Sequence, residues 1–336
     1  MKTIINSHLQ GKKMQKEIAY SSNSHRMRPS RLTRLLTGSL LLGTLSVTTG
    51  AQAAIDLKAN QQPIHAPKNA EAIAQIPTDF TFVTPGKFTV AIAALGSSPP
   101  LAFLADDNKT VVGSEPDIAR LVADSLGLEL NIVPTSWEDW PLGVASGKYD
   151  AAIINITVTK ARKEKFDFAT YRIDSLGFYV KSTSKIQSIK EAKDIAGLKI
   201  IVGSGTNQEA VLLAWDKQNR ANGLPAFQPV YVTDDAAANL SLQSGRSDAY
   251  FGPNVIGAYK AELTGKVKHV GTVNGGYPNV AHIAVTTRKG SGLVQPINTA
   301  LNGVIKSGEY DKVLNRWGES IERIDRSEIN PPGLGD

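Results

Sequence analysis

Thr159 and Arg162 lie three residues apart, just beyond the apolar run Ala151-Ala152-Ile153-Ile154 and the polar step Asn155-Ile156-Thr157. A threonine there can cap a helix, which puts the guanidinium in the first turn. Free backbone N–H groups beside a guanidinium fork make a carboxylate receptor, charge-assisted and able to bond bidentately. The same residues also make an ordinary capped helix whose Arg162 pairs on the surface with Glu164 or Asp167, and both readings stay open. A second turn of this kind is Gly203-Ser204-Gly205-Thr206-Asn207-Gln208, where glycine after a strand permits close backbone approach by a ligand. One such turn in each half of the chain predicts a cleft between two lobes that closes on a small carboxylate.

Enzymatic groups are scarce. The chain has no cysteine, and beyond residue 53 only His65, His269 and His282, none at metal-ligand spacing from another. No G-x-S-x-G elbow occurs, and the Gly203-Ser204-Gly205 hint of a dinucleotide loop has Gln208 where the third glycine belongs. Asp106-Asp107 and Asp234-Asp235 read as solvated turns. No catalytic residue, metal or cofactor is expected.

The elements that must hold these turns alternate along the chain. Phe88–Ala93 reads as a strand. Ser114-Glu115-Pro116-Asp117 fits a capping box opening a helix that places Ile118, Leu121, Val122 and Leu126 on one face, and Gly127 ends it. Strands follow at Leu128–Val133 and Ala151–Ile154, with a helix near 137–146 between them. The rhythm restarts with a strand at Gly177–Val180 and a second capping box, Ser188 to Glu191. A strand at Leu198–Val202 then leads to a helix opened by Thr206 with Glu209 three residues on. Strands at Asp248–Phe251 and Ala281–Val285 precede helices near 292–306 and 308–317. This alternation predicts an α/β fold with mostly parallel sheets.

The front end reads differently. Of 37 basic residues eight fall in residues 1–53 beside one acid, which leaves 29 against 30 in the rest, a net charge of −1. Nucleic-acid binding by residues 54–336 therefore loses its electrostatic support. Leu35–Val47 is a mainly apolar run of 13 residues behind that basic stretch, ending near Ala51-Gln52-Ala53. A membrane span needs about 20 apolar residues, so residues 1–53 are expected to be a cleavable signal peptide. Met14 or Met27 is a possible later start, and 54–85 is expected to be a flexible lead-in. With no lipid-attachable cysteine, a freely soluble periplasmic protein is expected.

The chain resembles the polar amino-acid class of periplasmic solute-binding proteins of ABC transporters, the bacterial extracellular solute-binding proteins of family 3. The resemblance rests on motifs in order across 86–318: Pro99–Phe103, Gly113–Asp117, Gly147–Asp150, Thr159-x-x-Arg162 and Phe166-Asp167-Phe168-x-x-Tyr171. It continues through Leu198–Thr206, Ser244–Ala249 and Gly308–Gly318. It implies a two-lobed periplasmic-binding-protein-like fold of type II, each lobe a mostly parallel sheet flanked by helices. Lobe 1 would be 86–173 plus 280–336, and lobe 2 174–279. It also implies roles. Arg162 clamps the ligand carboxylate with help from Thr157 and the N–H groups of Asn207 and Gln208. Asn155 meets the ammonium or its neighbours, and Trp137 and Ser98 wall the ligand side chain, although Trp137 could equally be core.

One departure bears on the ligand. The family's usual ammonium-binding acid lies five residues after Asp248, where this chain has Pro253, with Asn254 beside it as the alternative acceptor. No acid occurs in Leu95-Gly96-Ser97-Ser98, so a neutral or acidic ligand is expected over Arg or Lys. The expected function is a monomeric periplasmic receptor that captures a small amino-acid-like carboxylate by hinge closure. It would pass that solute to an ABC permease in the inner membrane. The alternative is a periplasmic lyase of the cyclohexadienyl dehydratase type, with Glu115 as its candidate acid or base; otherwise Glu115 is a helix-start charge.

Overall fold

The alternating signals become two five-stranded sheets in the computed structural model, which describes residues 62–93, 98–232 and 234–336. The expected signal peptide, residues 54–61 of the lead-in, and Leu95-Gly96-Ser97 lie outside the described residues.

The first lobe begins with α1 (Ala70–Ala74) and β1 (Lys87–Ile92), then a two-stranded hairpin, β2 (Phe103–Leu104) and β3 (Val111–Val112). After it come α2 (Ser114–Ser125), β4 (Glu129–Pro134), α3 (Trp140–Ala145), β5 (Ala151–Ala152), α4 (Lys160–Lys163) and β6 (Phe166–Ile173). The chain then crosses to the second lobe: β7 (Ser175–Lys181), β8 (Lys199–Val202), α5 (Asn207–Ala221), β9 (Gln228–Tyr231), α6 (Asp235–Gln243), β10 (Ala249–Pro253), α7 (Asn254–Thr264) and β11 (Val267–Asn274). It returns as β12 (His282–Arg288), α8 (Val294–Ser307) and α9 (Glu309–Trp317).

Strand orders are β4-β1-β5-β12-β6 and β11-β7-β10-β8-β9. In each sheet three neighbouring strands run parallel and antiparallel pairings complete the other side, so the sheets are mixed and the lobes share one plan. This is the type II two-lobed architecture. β1 is internal to its sheet and covered on both faces, which is why Phe88–Ile92 is buried throughout. β9 is an edge strand, where Pro229 is tolerated because no ladder donor is needed on the open side. The lobe 1 core joins the predicted face of α2 to Phe88, Val90, Ile92, Tyr310 and Trp317. In lobe 2, Phe178 stacks between Trp215 and Phe251.

Three local expectations change. α2 starts at Ser114 with Gly113 as its cap (φ 136°), and no side chain caps it. Asp117, expected to close the box, instead accepts from Trp317 Nε1 at 2.8 Å, because α9 packs across the helix. The second box is shifted: Glu191 and Asp194 cap a short 3-10 turn, Ala192–Ile195, in place of Ser188 opening a helix. Residues 62–85, expected as a flexible lead-in, pack on lobe 1. Ala72 is fully buried, Ile64, Ile76, Phe80 and Phe82 cover the core, and Asn69 N–H donates to Ser125 O at 2.8 Å. Apolar residues thinly spread in the sequence still converge when a groove beside α2 and α8 gathers them.

The crossing between lobes is at Asp174, and the return runs through 275–281. The two segments bond to each other: Asp174 N–H donates to Ala281 O and Gly275 N–H to Asp174 O, both at 2.9 Å. Side chains add to this. Asp174 Oδ2 accepts from Thr157 Oγ1 of lobe 1 at 2.6 Å and from Asn207 Nδ2 of lobe 2 at 2.7 Å. Burial raises the Asp174 carboxyl pKa, against these two donors and the Arg172 and Arg162 charges.

Candidate functional site

Between the lobes lies a cavity of about 260 Å³. Lobe 1 supplies Ser98, Leu101, Glu115, Trp137 and Asn155; lobe 2 supplies Gly203, Thr206, Asn207, Gln208, Tyr250 and Pro253.

The α5 end is built as its sequence implies. Thr206 is the N-cap, and its hydroxyl accepts from Glu209 N–H at 3.1 Å. The N–H groups of Asn207 and Gln208 precede the helical ladder and have no partner among the described residues, so they remain donors at the cavity wall. At the other turn the expectation holds only in part. Thr159 caps α4 through Arg162 N–H at 3.1 Å, but Lys160 N–H is taken by Leu334 O at 3.0 Å because the C-terminal strand segment pairs there. Lys160 N–H is thus engaged at this turn, whereas Asn207 and Gln208 of lobe 2 keep theirs.

Arg162 stands beside the lining. Its guanidinium lies 5.2 Å from the Trp137 ring centroid and donates to Thr157 O at 2.9 Å and, across the lobes, to Gly205 O at 3.3 Å. Two of five N–H donors are occupied. Burial lowers its pKa to about 10, partly opposed by Asp174, so it stays charged at neutral pH.

The structure gathers Ser98, Trp137, Asn155, Asn207 and Gln208 around one space and separates two others from it. Thr157 is fully buried and gives its hydroxyl to Asp174. Asn254 turns toward β7, where its Oδ1 accepts from Tyr179 O–H at 2.8 Å. Asn155, at φ 45°, has its side-chain oxygen held by Arg172. The side chain of Asn207 serves the crossing between lobes, donating to Asp174 and to Gly275 O at 2.9 Å, while its N–H has no partner among the described residues.

Glu115 is the residue that local sequence undervalued. It is 2% exposed, lines the cavity, and accepts from Asn155 N–H. Burial raises its pKa to about 8, against the Arg172 charge and the Asn155 bond. Asp234 and Asp235 also line the cavity, the first capping α6 through Ala237 N–H at 2.7 Å and the second paired with Lys260. Three carboxylates and no Lys, Arg or His appear among the described lining residues. The long-range placement of α6 brings in acids that read locally as solvated turns. No group of His, Cys, Asp or Glu that could hold a metal ion occurs among the described residues.

Residues 90–320 match the family described as bacterial extracellular solute-binding proteins, family 3. The chain belongs to that family. It is similar to the L-cystine-binding protein TcyJ of Escherichia coli strain K12, 29% identical over 231 residues that cover 68% of this chain and 82% of that protein. Among solved structures it is similar to an ancestral arginine-binding protein bound to arginine, with a TM-score of 0.60, 28% identity, and 69% and 98% of the two chains covered. It is also similar to the ancestral amino acid-binding protein AncCDT-1, a precursor of cyclohexadienyl dehydratase, at a TM-score of 0.59 and 26% identity, covering 69% and 95%. These are binding proteins, and a small polar solute with a membrane permease as partner is the family's mode of action.

Proposed function

We propose that this family 3 protein is a periplasmic receptor for an α-amino acid and delivers it to an ABC permease. The carrying observation is the cavity between lobes, with Arg162 of lobe 1 reaching Gly205 of lobe 2 beside the unpaired Asn207 and Gln208 amides. A carboxylate at that junction would take the remaining guanidinium donors and both amides. It would thereby bridge the lobes, and its affinity for the closed form is what drives closure. Asp234 and Tyr250 on the lobe 2 flank favour a side chain that is polar or positively charged at its end. The arginine and cystine named for its relatives are of this kind. Export by residues 1–53 is part of the same proposal.

The lyase alternative would need a second titratable group beside Glu115; the titratable groups that act on it, Tyr171, Arg172 and Glu319, are not among the described lining residues. A thermal-shift screen of the twenty L-amino acids and L-cystine tests the receptor reading. One or a few should raise the melting temperature in a concentration-dependent way. A flat response across the panel would remove the proposal.

A further inference from the structure

We propose that Glu115 is the ammonium acceptor of this receptor, replacing from lobe 1 the acid that Pro253 displaces in lobe 2, and that it exchanges its own proton for the ligand's ammonium. The inference rests on the amino-acid reading above.

Geometry carries it. Glu115, Glu319 and Glu322 are all buried around one guanidinium, Arg172. Arg172 is paired with Glu322 and lies 3.3 Å from Glu319, whereas Glu115 forms no ion pair among the described residues. One cation cannot neutralise three buried carboxylates, so the unpaired one holds a proton when no ligand is bound. Of the three, only Glu115 lines the cavity. The groups that face it are Arg172 and Tyr171 from β6, Glu319 beyond α9, and Asn155 after β5. With its pKa at about 8, it is mainly neutral at pH 7. An ammonium entering beside it supplies the missing positive charge. The carboxyl proton then leaves to solvent, and the pair that forms is carboxylate and ammonium.

The other cavity acids are less suited. Asp234 holds the start of α6, and Asp235 already has Lys260. With Glu115 and Arg162 both in lobe 1, a single lobe can hold the amino and carboxyl groups of a ligand, and lobe 2 then closes over them with its amides.

The test takes the amino acid giving the largest thermal shift in the panel, together with the α-hydroxy acid of the same side chain. Calorimetry at pH 7 in two buffers of different ionisation enthalpy reads the protons released. The parent should release nearly a full proton on binding the amino acid and none on binding the hydroxy acid. Glu115→Gln should bind the amino acid about tenfold or more weakly, without proton release, and bind the hydroxy acid as the parent does. Absence of proton release by the parent, a measurement that needs no variant, overturns the inference, as does unchanged amino-acid affinity in Glu115→Gln. In either case the receptor reading survives, whereas a panel with no binder removes both.

Discussion

Asn207 Nδ2 lies 2.7 Å from Asp174 Oδ2, so the first residue of the α5 helix in lobe 2 is bonded to the residue at which the chain crosses between the lobes. The same residue lines the cavity and has no partner for its N–H among the described residues, so the cavity end of α5 is tied to the crossing.

Asn207→Ala therefore removes one of the two donors on a buried carboxyl and should destabilise the protein by about 1–3 kcal/mol. The Asp174 pKa is already raised by burial, and losing a donor raises it further. A raised carboxyl contributes its stability below the ordinary carboxylate range and loses it as pH rises through the folded value. The loss should thus be greater at pH 7 than at pH 4 when urea unfolding is compared at the two. Equal losses at both would show that Asp174 does not sense Asn207.

Arg162→Ala should weaken amino-acid binding by about 2–5 kcal/mol, the range for removing one partner of a buried charge pair. Arg162→Lys should recover only part of that, since an ammonium lacks the fork that spans Thr157 O, Gly205 O and a ligand. Calorimetric affinities decide it. A wild-type affinity in Arg162→Ala would remove the clamp.

Without ligand, Glu115 should make the parent pH-sensitive. Its raised pKa means the folded state favours the protonated form. That contribution is complete below the ordinary glutamate range and disappears as pH rises through about 8. Glu115→Gln mimics the protonated form at every pH. Melting temperatures of the two should be similar at pH 5 and diverge at pH 9, with the variant higher; parallel curves would contradict a buried, neutral Glu115.

The C-terminal residues 331–336 hold the platform of Arg162. Leu334 O accepts from Lys160 N–H at 3.0 Å, and Lys163 Nζ lies 2.6 Å from Asp336 and donates to Pro331 O at 3.2 Å. Deleting 331–336 should reduce ligand affinity several-fold, as bonds worth about 0.5–1.5 kcal/mol each are lost around α4. The melting temperature should fall only a few degrees, because the lobe 1 core is untouched. Unaltered affinity with the same small thermal loss would show that α4 holds Arg162 unaided.

Much of the scaffold is legible because it is local. The stripe Ile118, Leu121, Val122 and Leu126 follows the helical repeat, and all four are buried. Thr206 and Thr159 cap helices because each can reach an N–H three residues ahead. Motifs in a set order were enough to point to the family that residues 90–320 match. β9 and β11 left weaker signals, one interrupted by Pro229 at a sheet edge and the other mixing exposed and buried positions along a polar run.

The site divides along the same line. Capping and periodicity act over a few residues, so the chain by itself determined where α5 begins and that Arg162 follows a capped turn. Which carboxyls are cut off from water depends on elements brought together from distant parts of the chain. Only the tertiary structure decided that Glu115 faces the cavity with Arg172 already engaged by Glu319 and Glu322. It likewise turned Asn254 to Tyr179 and Thr157 to Asp174. Burial is a property of the packed molecule, and the charge a buried group carries is set by the neighbours that packing supplies.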